Sequence, residues 1–438
     1  MYTKDEALTY IQENDVKFIK LFFTDIFGAI KSLSIQPSEL ERAFETGIPF
    51  DASAMRGFLN VTAGDLLLVP DPATLCVLPW RPQTGRVVRF FCTIRTAGGG
   101  AFEGDFRSLL KTQVRALSEQ GYDITIGTEC EFYLLKLDET GAPTLTPQDD
   151  AGYCDLAPRD RGENVRRDIC LTLEQMGVHP ESSHHEKGMG QNEVDFRAAD
   201  PLSSADNLVT FKTVVRTVAD RSGLYASFLP KPLSDEPGSG LHVHIALAKD
   251  GKNLFAGELG NEARAFIAGV LRRIRELTVF LNPCGNDSYS RLFDYPALRK
   301  LGWGYKNAGE LIRMVTTPGG LSHFELRSPD PACNPYLAFF LILAAGFEGI
   351  RDKLPLEMEP DAPLPVDEWG RIQCDDEQLL PESFYDAKSL ALGGDDDAHG
   401  SAFVRSLLGE AVCASFKTAD AWGYSDARLS NDRYKSLV

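Results

Sequence analysis

The sequence predicts an α+β protein, and three observations carry that prediction. Residues 1 to about 100 alternate short apolar runs with turns, as in "VKFIKLFFTDIFGAIKSLSI", "DLLLVPD" and "GRVVRFFCTI". Beyond residue 100, long segments of helical spacing alternate with runs of period two. Between the halves lies "AGGG" at 97–100, which interrupts either pattern. The boundaries drawn are therefore 1–100 and 101–438.

With 438 residues the chain can bury a large core. Its 43% hydrophobic and 25% charged residues describe an ordinary soluble globular protein. A formal net charge of -18 argues against a nucleic-acid or anionic-membrane surface, so neither partner is expected. The nine cysteines are odd in number and contain no C-x-x-C, a pattern of reduced thiols in a cytoplasmic protein.

"MYTKDEALTYIQEN" reads as a polar helix rather than a signal peptide, and "DIFGAIK" as a hairpin turn. Helices are expected over "FRSLLKTQVRALSEQG", "ENVRRDICLTLEQMG", "NLVTFKTVVRTVADRSG" and "EARAFIAGVLRRIRELTVFLNP". The longest apolar run, "PYLAFFLILAAGF" at 335–347, is too short for a bilayer and reads as a buried helix. Residues 355–400, rich in proline, glycine and aspartate, read as loop with one short helix.

Period-two alternation exposes the chemistry. In "ITIGTECEFYLLKL", Glu129, Glu131 and Tyr133 share one face, with Cys130, Phe132 and Leu134 on the other. In "LHVHIAL", His242 and His244 lie together. In "LSHFELRSPD", His323, Glu325 and Arg327 do so. "SSHHEKGMGQNEVDF" sets Glu186 and Glu193 on either side of a glycine-bearing turn. One such strand is usually a solvated sheet face; four with clustered glutamates and histidines call for cations between like charges. Oxygen-rich ligation suits Mg²⁺ or Mn²⁺ over Zn²⁺, and no short His-x-x-x-His or cysteine pairing is present. Divalent metals with arginines suggest phosphoryl transfer from a nucleotide, without a Walker-type loop. His184 and His185 read as hydrogen-bonded neighbours rather than ligands.

The motifs "FEGDFR", "GTECEF", "DLAPRDRGENVRRDI", "SSHHEKGMGQNEVDF", "KPLSDEPGSGLHVHIAL" and "ELRSPDPACNPYLAF" resemble, in order and spacing, the bacterial type I glutamine synthetase family. The likeness is to a divergent member similar to γ-glutamylamide and γ-glutamylpolyamine synthetases. The resemblance implies an N-terminal β-grasp domain and a glutamine synthetase/guanido kinase-type catalytic domain with a curved antiparallel sheet. It implies ATP as cosubstrate and two or three Mg²⁺ or Mn²⁺ ions per site. Small carboxylate and amine substrates would meet between subunits of hexameric rings, stacked as a dodecamer. By resemblance Glu131, Glu186 and Glu193 hold one metal, and Glu129, His242 and Glu325 another. His244, Arg313 and Arg327 match positions that bind phosphate or substrate carboxylate, and Arg291 another. Asp51 matches the residue that deprotonates the incoming ammonium, and Tyr153 lies on the amine side.

Departures from the family pattern cluster around the substrates. Ala54 replaces a hydroxyl, Pro237 an asparagine, Pro296 a flap glutamate, and Ala308 an arginine; Pro318 and His323 replace arginines near the nucleotide. A less polar amine pocket favours an alkyl or aryl amine over ammonia, so the expected activity is an ATP-dependent acid–amine ligase forming a γ-glutamyl amide through an acyl phosphate. A true glutamine synthetase and a non-catalytic scaffold or regulator remain as alternatives. The tail "DARLSNDRYKSLV" would dock on another subunit or fray.

Overall fold

A computed structural model describes residues 2–55, 57–58, 65–306, 309–317, 320–368, 372–394 and 400–419. The first of its two sheets gathers β1 (Val16–Thr24), β2 (Ile30–Ile35), β3 (Ile48–Phe50), β4 (Leu66–Pro70), β5 (Cys76–Val77) and β6 (Arg86–Thr96). They run in the order β2-β1-β6-β4-β3, with β5 on β6. α1 (Lys4–Glu13) starts where Thr3 and Glu6 form a reciprocal capping box. The expected turn after β1 is closed by Asp25, whose Oδ1 accepts the N–H groups of Phe27 and Ala29 at 3.0 and 2.9 Å. α2 (Leu40–Thr46) was not expected; its seven residues are too few to display a helical period.

The second sheet holds β7 (Tyr122–Leu137), β8 (Pro143–Pro147), β9 (Pro180–His185), β10 (Gln191–Ala199), β11 (Leu224–Ser227), β12 (Leu241–Lys249), β13 (Lys252–Asn253), β14 (Trp303–Gly304), β15 (Ile312–Thr317) and β16 (Gly320–Leu326). Its path is β14-β15-β16-β12-β7-β10-β9, curled into a half-barrel. One pairing departs from the antiparallel expectation: β14 and β15 run parallel, so the sheet is mixed. Register then assembles the polar face. Glu131 on β7 stands opposite Glu193 on β10. Glu129 stands opposite His242 on β12, and His244 opposite Glu325 on β16. A slip of one residue would turn each of these away.

The helices of this half are α3 (Phe106–Glu119), α4 (Glu163–Gln175), α5 (Pro201–Arg221), α6 (Asn261–Leu281), α7 (Asn286–Phe293), α8 (Pro296–Arg299), α9 (Pro335–Asp352), α10 (Phe384–Leu392) and α11 (Ala402–Lys417), the last broken at Gly409. α5 begins earlier than its apolar pattern indicates, because Asp200 caps the N–H groups of Leu202 and Ser203 and Pro201 opens the first turn. α9 is the buried helix expected from its apolar run. No helix among the described residues is long and apolar enough to cross a membrane.

Cys130, Phe132 and Leu134, the apolar face of β7, are fully buried. The Phe132 ring lies 6.0 Å from Phe211 and 5.7 Å from Phe228. Burying each of the larger side chains contributes about 1.5–3 kcal/mol. A polar network joins the two halves. Arg107 on α3 grips Asp206 on α5 through two bonds of 2.9 and 2.7 Å and reaches Asp71 at 3.2 Å. The Tyr336 hydroxyl donates to the same Asp206 at 2.6 Å.

α6 and α9 cross so closely that a Cβ on Gly349 would lie 2.0 Å from the Ala265 carbonyl oxygen, and one on Gly269 would lie 2.2 Å from that of Ala345. Alanine is favoured over glycine by about 1 kcal/mol in a helix, but overpacking against rigid backbone costs about 1–3 kcal/mol or more. Gly349→Ala is therefore expected to lower the melting temperature, which differential scanning fluorimetry measures; a rise would show that the helices separate without loss.

Candidate active site

The polar face of the second sheet floors a cavity of about 460 Å³. β7 brings Glu129 and Glu131, β10 brings Glu193 and Asp195, β12 brings His242, and the turn after β9 brings Glu186. Arg291 enters from α7, Arg313 from β15, and Arg327 from the end of β16. Tyr153 and Tyr295, 59% and 37% exposed, stand at its rim.

On one side, His242 Nδ1 lies 2.9 Å from Glu129 Oε2 and 3.3 Å from Glu325 Oε1. Ligand atoms of these three residues all lie within 4.8 Å of one another. His244 Nε2 stands 3.0 Å from Glu129 Oε1. Burial opposes ionisation of Glu129, but the hydrogen bonds and charges of His242 and His244 outweigh it and hold the carboxyl well below the usual range. Burial lowers His242 and favours its neutral form, the one that can bind a cation. Glu325, fully buried, is gripped by both Arg313 and Arg327.

On the other side, burial and the charge of Glu186 push Glu131 up to about 7. Two donors still aim it: the Gly240 N–H and Gln191 Nε2, each at 2.9 Å. Burial raises both Glu193 and Asp195, with the charge of Asp195 adding to the rise at Glu193 and that of Glu129 to the rise at Asp195. His184 sits between Glu186 and Glu193, 3.6 Å from each. His184, Glu193 and Asp195 form a further group whose ligand atoms lie within 4.8 Å of one another.

This half of the cavity fits a divalent cation. Its carboxyls cannot all ionise at such range without a positive charge among them. Buried Nδ1 of His184 and Oδ1 of Asp195 have no hydrogen-bond partner. The donors are mostly carboxylate oxygens with few imidazoles, the set that suits Mg²⁺ or Mn²⁺.

Of the residues singled out from sequence, Glu129, Glu131, Tyr153, Glu186, Glu193, His242, Arg291, Arg313 and Arg327 line this one cavity. Glu325 and His244 adjoin it through His242 and Glu129. Arg291 is only 2% exposed, and its two terminal nitrogens donate to the carbonyls of Ser328 at 2.7 Å and Arg327 at 3.1 Å. Asp51 is not among the lining residues. It is exposed in the N-terminal half, where the Ser53 hydroxyl and N–H, at 2.6 and 2.9 Å, hold its carboxyl below the usual value. His185 is hydrogen-bonded, as expected, to Asp149 and to the Glu186 carbonyl.

His323 packs its ring 5.1 Å from that of His244, and burial together with His244 pushes it down to about 4, so it is neutral near pH 7. Pro237 lines the cavity and accepts the Tyr133 hydroxyl at 2.5 Å, while Ala54 and Pro296 are exposed. Ala308, Pro318 and the tail "DARLSNDRYKSLV" lie outside the described residues. The sequence reading missed Asp195 and Gln191, although both share the period-two face of Glu193 and the same alternation would have found them.

Two family models match the chain: the beta-Grasp domain of glutamine synthetase over residues 15–97 and its catalytic domain over residues 103–435. The glutamine synthetase of Methanosarcina mazei is 42% identical over 442 residues, covering 100% of this chain and 96% of that protein. The one from Clostridium saccharobutylicum is 41% identical over 435 residues, covering 98% and 96%. Among solved structures, apo GmaS superposes with a TM-score of 0.81 at 29% identity, covering 98% of this chain and 96% of the other. The GmaS complex with ADP gives 0.82 at 27% identity, covering 99% and 97%.

Glu131 is held above its ordinary value, so its contribution to stability is complete below about pH 4.5 and is lost as pH rises through about 7. Without divalent cations the protein should melt at falling temperatures from pH 5 to pH 8. Glu131→Gln, fixed in the uncharged form, should lose that part of the slope, a difference on the order of 2–3 kcal/mol at pH 8. Melting curves in chelator check this; parallel slopes for the two proteins would refute it.

Proposed function

The chain belongs to the glutamine synthetase family of ATP-dependent amide-forming ligases, and from that premise we propose that it joins the γ-carboxylate of glutamate to an amine other than ammonia. The observation that carries this reading is a single cavity in which clustered carboxylates face three arginines, with Tyr153, Tyr295 and Leu298 also in its lining.

Glu131, Glu186 and Glu193 would hold one Mg²⁺ or Mn²⁺, and Glu129, His242 and Glu325 another. Bound there, the cations supply the positive charge that screens a nucleotide's phosphates. In the first step a substrate carboxylate oxygen bonds to the γ-phosphorus of ATP as the bridging bond to the β-phosphate breaks and ADP leaves. Arg313 and Arg327, beside Glu325, stabilise the charge that spreads over the transferring group. His244 orients the phosphate chain, and Arg291 faces the substrate's carboxylate. In the second step the amine attacks the acyl carbon and phosphate departs. A protonated amine cannot attack, so a carboxylate must take its proton first.

Asp51 fits that last role only if a neighbouring copy brings it to the cavity. Its exposure, its lowered carboxyl and its absence from the lining set support a ring in which sites are shared between subunits. On this reading residues 1–100 form the β-grasp domain that lends Asp51, and residues 101–438 form the catalytic domain. The separate sheets on either side of that point support the division.

The amine assignment rests on Ala54 and Pro296, whereas Pro237 alters the loop on the amino-acid side. Pro296 stands where the family pattern has a glutamate and Ala54 where it has a hydroxyl, so ammonium would be held poorly. Tyr153, Tyr295 and Leu298 instead offer carbon surface to an organic amine. A second reading, glutamine formation from ammonia, is favoured by the 41–42% identity to proteins named glutamine synthetase.

Phosphate release with ATP, Mg²⁺, glutamate and a panel of amines separates the readings. The expected result is at least about a tenfold higher kcat/KM for an alkyl or aryl amine than for ammonia. A preference for ammonia would establish the second reading, and silence across acids and amines would exclude both. Sharing of the site has its own test. Asp51→Asn and Glu131→Gln subunits, each inactive alone, should regain activity at up to about one quarter of sites after mixing and reassembly; no recovery would place Asp51 outside the site.

A further inference from the structure

Glu186 lies just past β9, where the strand ladder has ended and the chain enters its turn. Behind it is a buried pair that the reaction does not touch. His185 is fully buried, with Nε2 2.9 Å from Asp149 Oδ1 and Nδ1 2.7 Å from the Glu186 carbonyl oxygen. Asp149 is saturated by the same turn and its own loop, accepting the N–H of Gly190 at 3.1 Å and of Arg161 at 2.8 Å. Gly190 adopts φ +71°, and a Cβ there would lie 2.8 Å from the Leu134 carbonyl oxygen, so the turn is seated directly on β7.

We propose that the Asp149–His185 pair is a positioning device that aims the Glu186 carboxylate into the cavity and thereby sets its affinity for a divalent cation, a role that rests on the metal reading above. Adjacent residues of an extended chain face opposite sides. With the His185 ring anchored to Asp149 on the buried side and the Glu186 carbonyl drawn onto it, the Glu186 side chain is left the cavity side. There it has few restraints of its own, chiefly the Lys187 N–H at 3.1 Å. The clamp also reaches the rim: the Cys154 N–H donates to the His185 carbonyl at 3.0 Å, next to Tyr153. Anchoring of this kind, one bond removed from a ligand, typically changes metal affinity 10–100-fold.

The test is Mn²⁺ binding to the full-length protein at fixed pH, read as free Mn²⁺ by electron paramagnetic resonance. Asp149→Asn is expected to weaken binding about 10–100-fold, with Glu186→Gln also weakening it. If the pair acts through Glu186, the double variant binds no more weakly than Glu186→Gln alone. His185→Gln, whose one amide group cannot bridge Asp149 and the Glu186 carbonyl as the two ring nitrogens do, should reproduce the Asp149→Asn loss and serves where that variant does not fold. Unchanged affinity in Asp149→Asn, or losses that simply add in the double variant, would overturn the proposal while leaving the metal reading intact. Failure of the wild-type protein to bind Mn²⁺ would overturn both.

Discussion

Four glutamates and an aspartate crowd one cavity, with Glu325 adjoining it, and the repulsion among them is the constraint around which the catalytic half is arranged. Left to relax, such side chains would swing apart or take up protons, and burial first, then neighbouring carboxylate charge, raises Glu131, Glu193 and Asp195. They stay together because their backbones are fixed by strand pairing. Glu131 faces Glu193 across one ladder and Glu129 faces His242 across the next. The sheet holds like charges close only because its other face buries Cys130, Phe132 and Leu134 in the common core.

The two sides of the cavity meet that constraint differently. Around Glu129 and Glu325 the chain supplies its own partners, the imidazoles of His242 and His244 and the guanidinium groups of Arg313 and Arg327, and Glu129 is held well below the usual carboxylate range. Around Glu131, Glu186 and Glu193 the nearest partners are His184, the amide donors of Gln191 and Gly240 and the Lys187 N–H, and the charges of Arg291 and Arg327 do not offset burial at Glu131. That imbalance is what a bound cation would correct. The arginines at Glu325 are then near enough to meet a phosphate without moving far, so one cluster of residues can serve both the resting protein and the transfer of a phosphoryl group.

On the proposed reading, substrate selection is separated from this machinery. The carboxylates and the His242 imidazole gather in one cavity, which Pro237 also lines, while Ala54 and Pro296 are exposed. Residues that must all act at once on a phosphate tolerate little change, whereas an amine pocket can be reshaped side chain by side chain. The same separation is visible in the fold. Asp51 belongs to the first sheet's half and stands clear of the cavity floored by the second.

The sequence by itself determined the elements and their polar faces, because period-two alternation is a local property. It marked Glu129 and Glu131 on β7, His242 and His244 on β12, and Glu325 on β16, and it marked α9 as buried. Quoted motifs were enough to fix the family. Local pattern failed where the signal was short or distant: α2 spans only seven residues, and the parallel pairing of β14 with β15 follows from where the chain returns. Only the tertiary structure decided register, and with it which charges meet. That Arg313 and Arg327 converge on Glu325, that Arg291 spends two donors on backbone carbonyls, and that Asp149 stands behind His185 across 36 residues of sequence depend on neighbours brought together by folding. Electrostatic energies fall with distance in space, and the order of residues along a chain does not contain that distance.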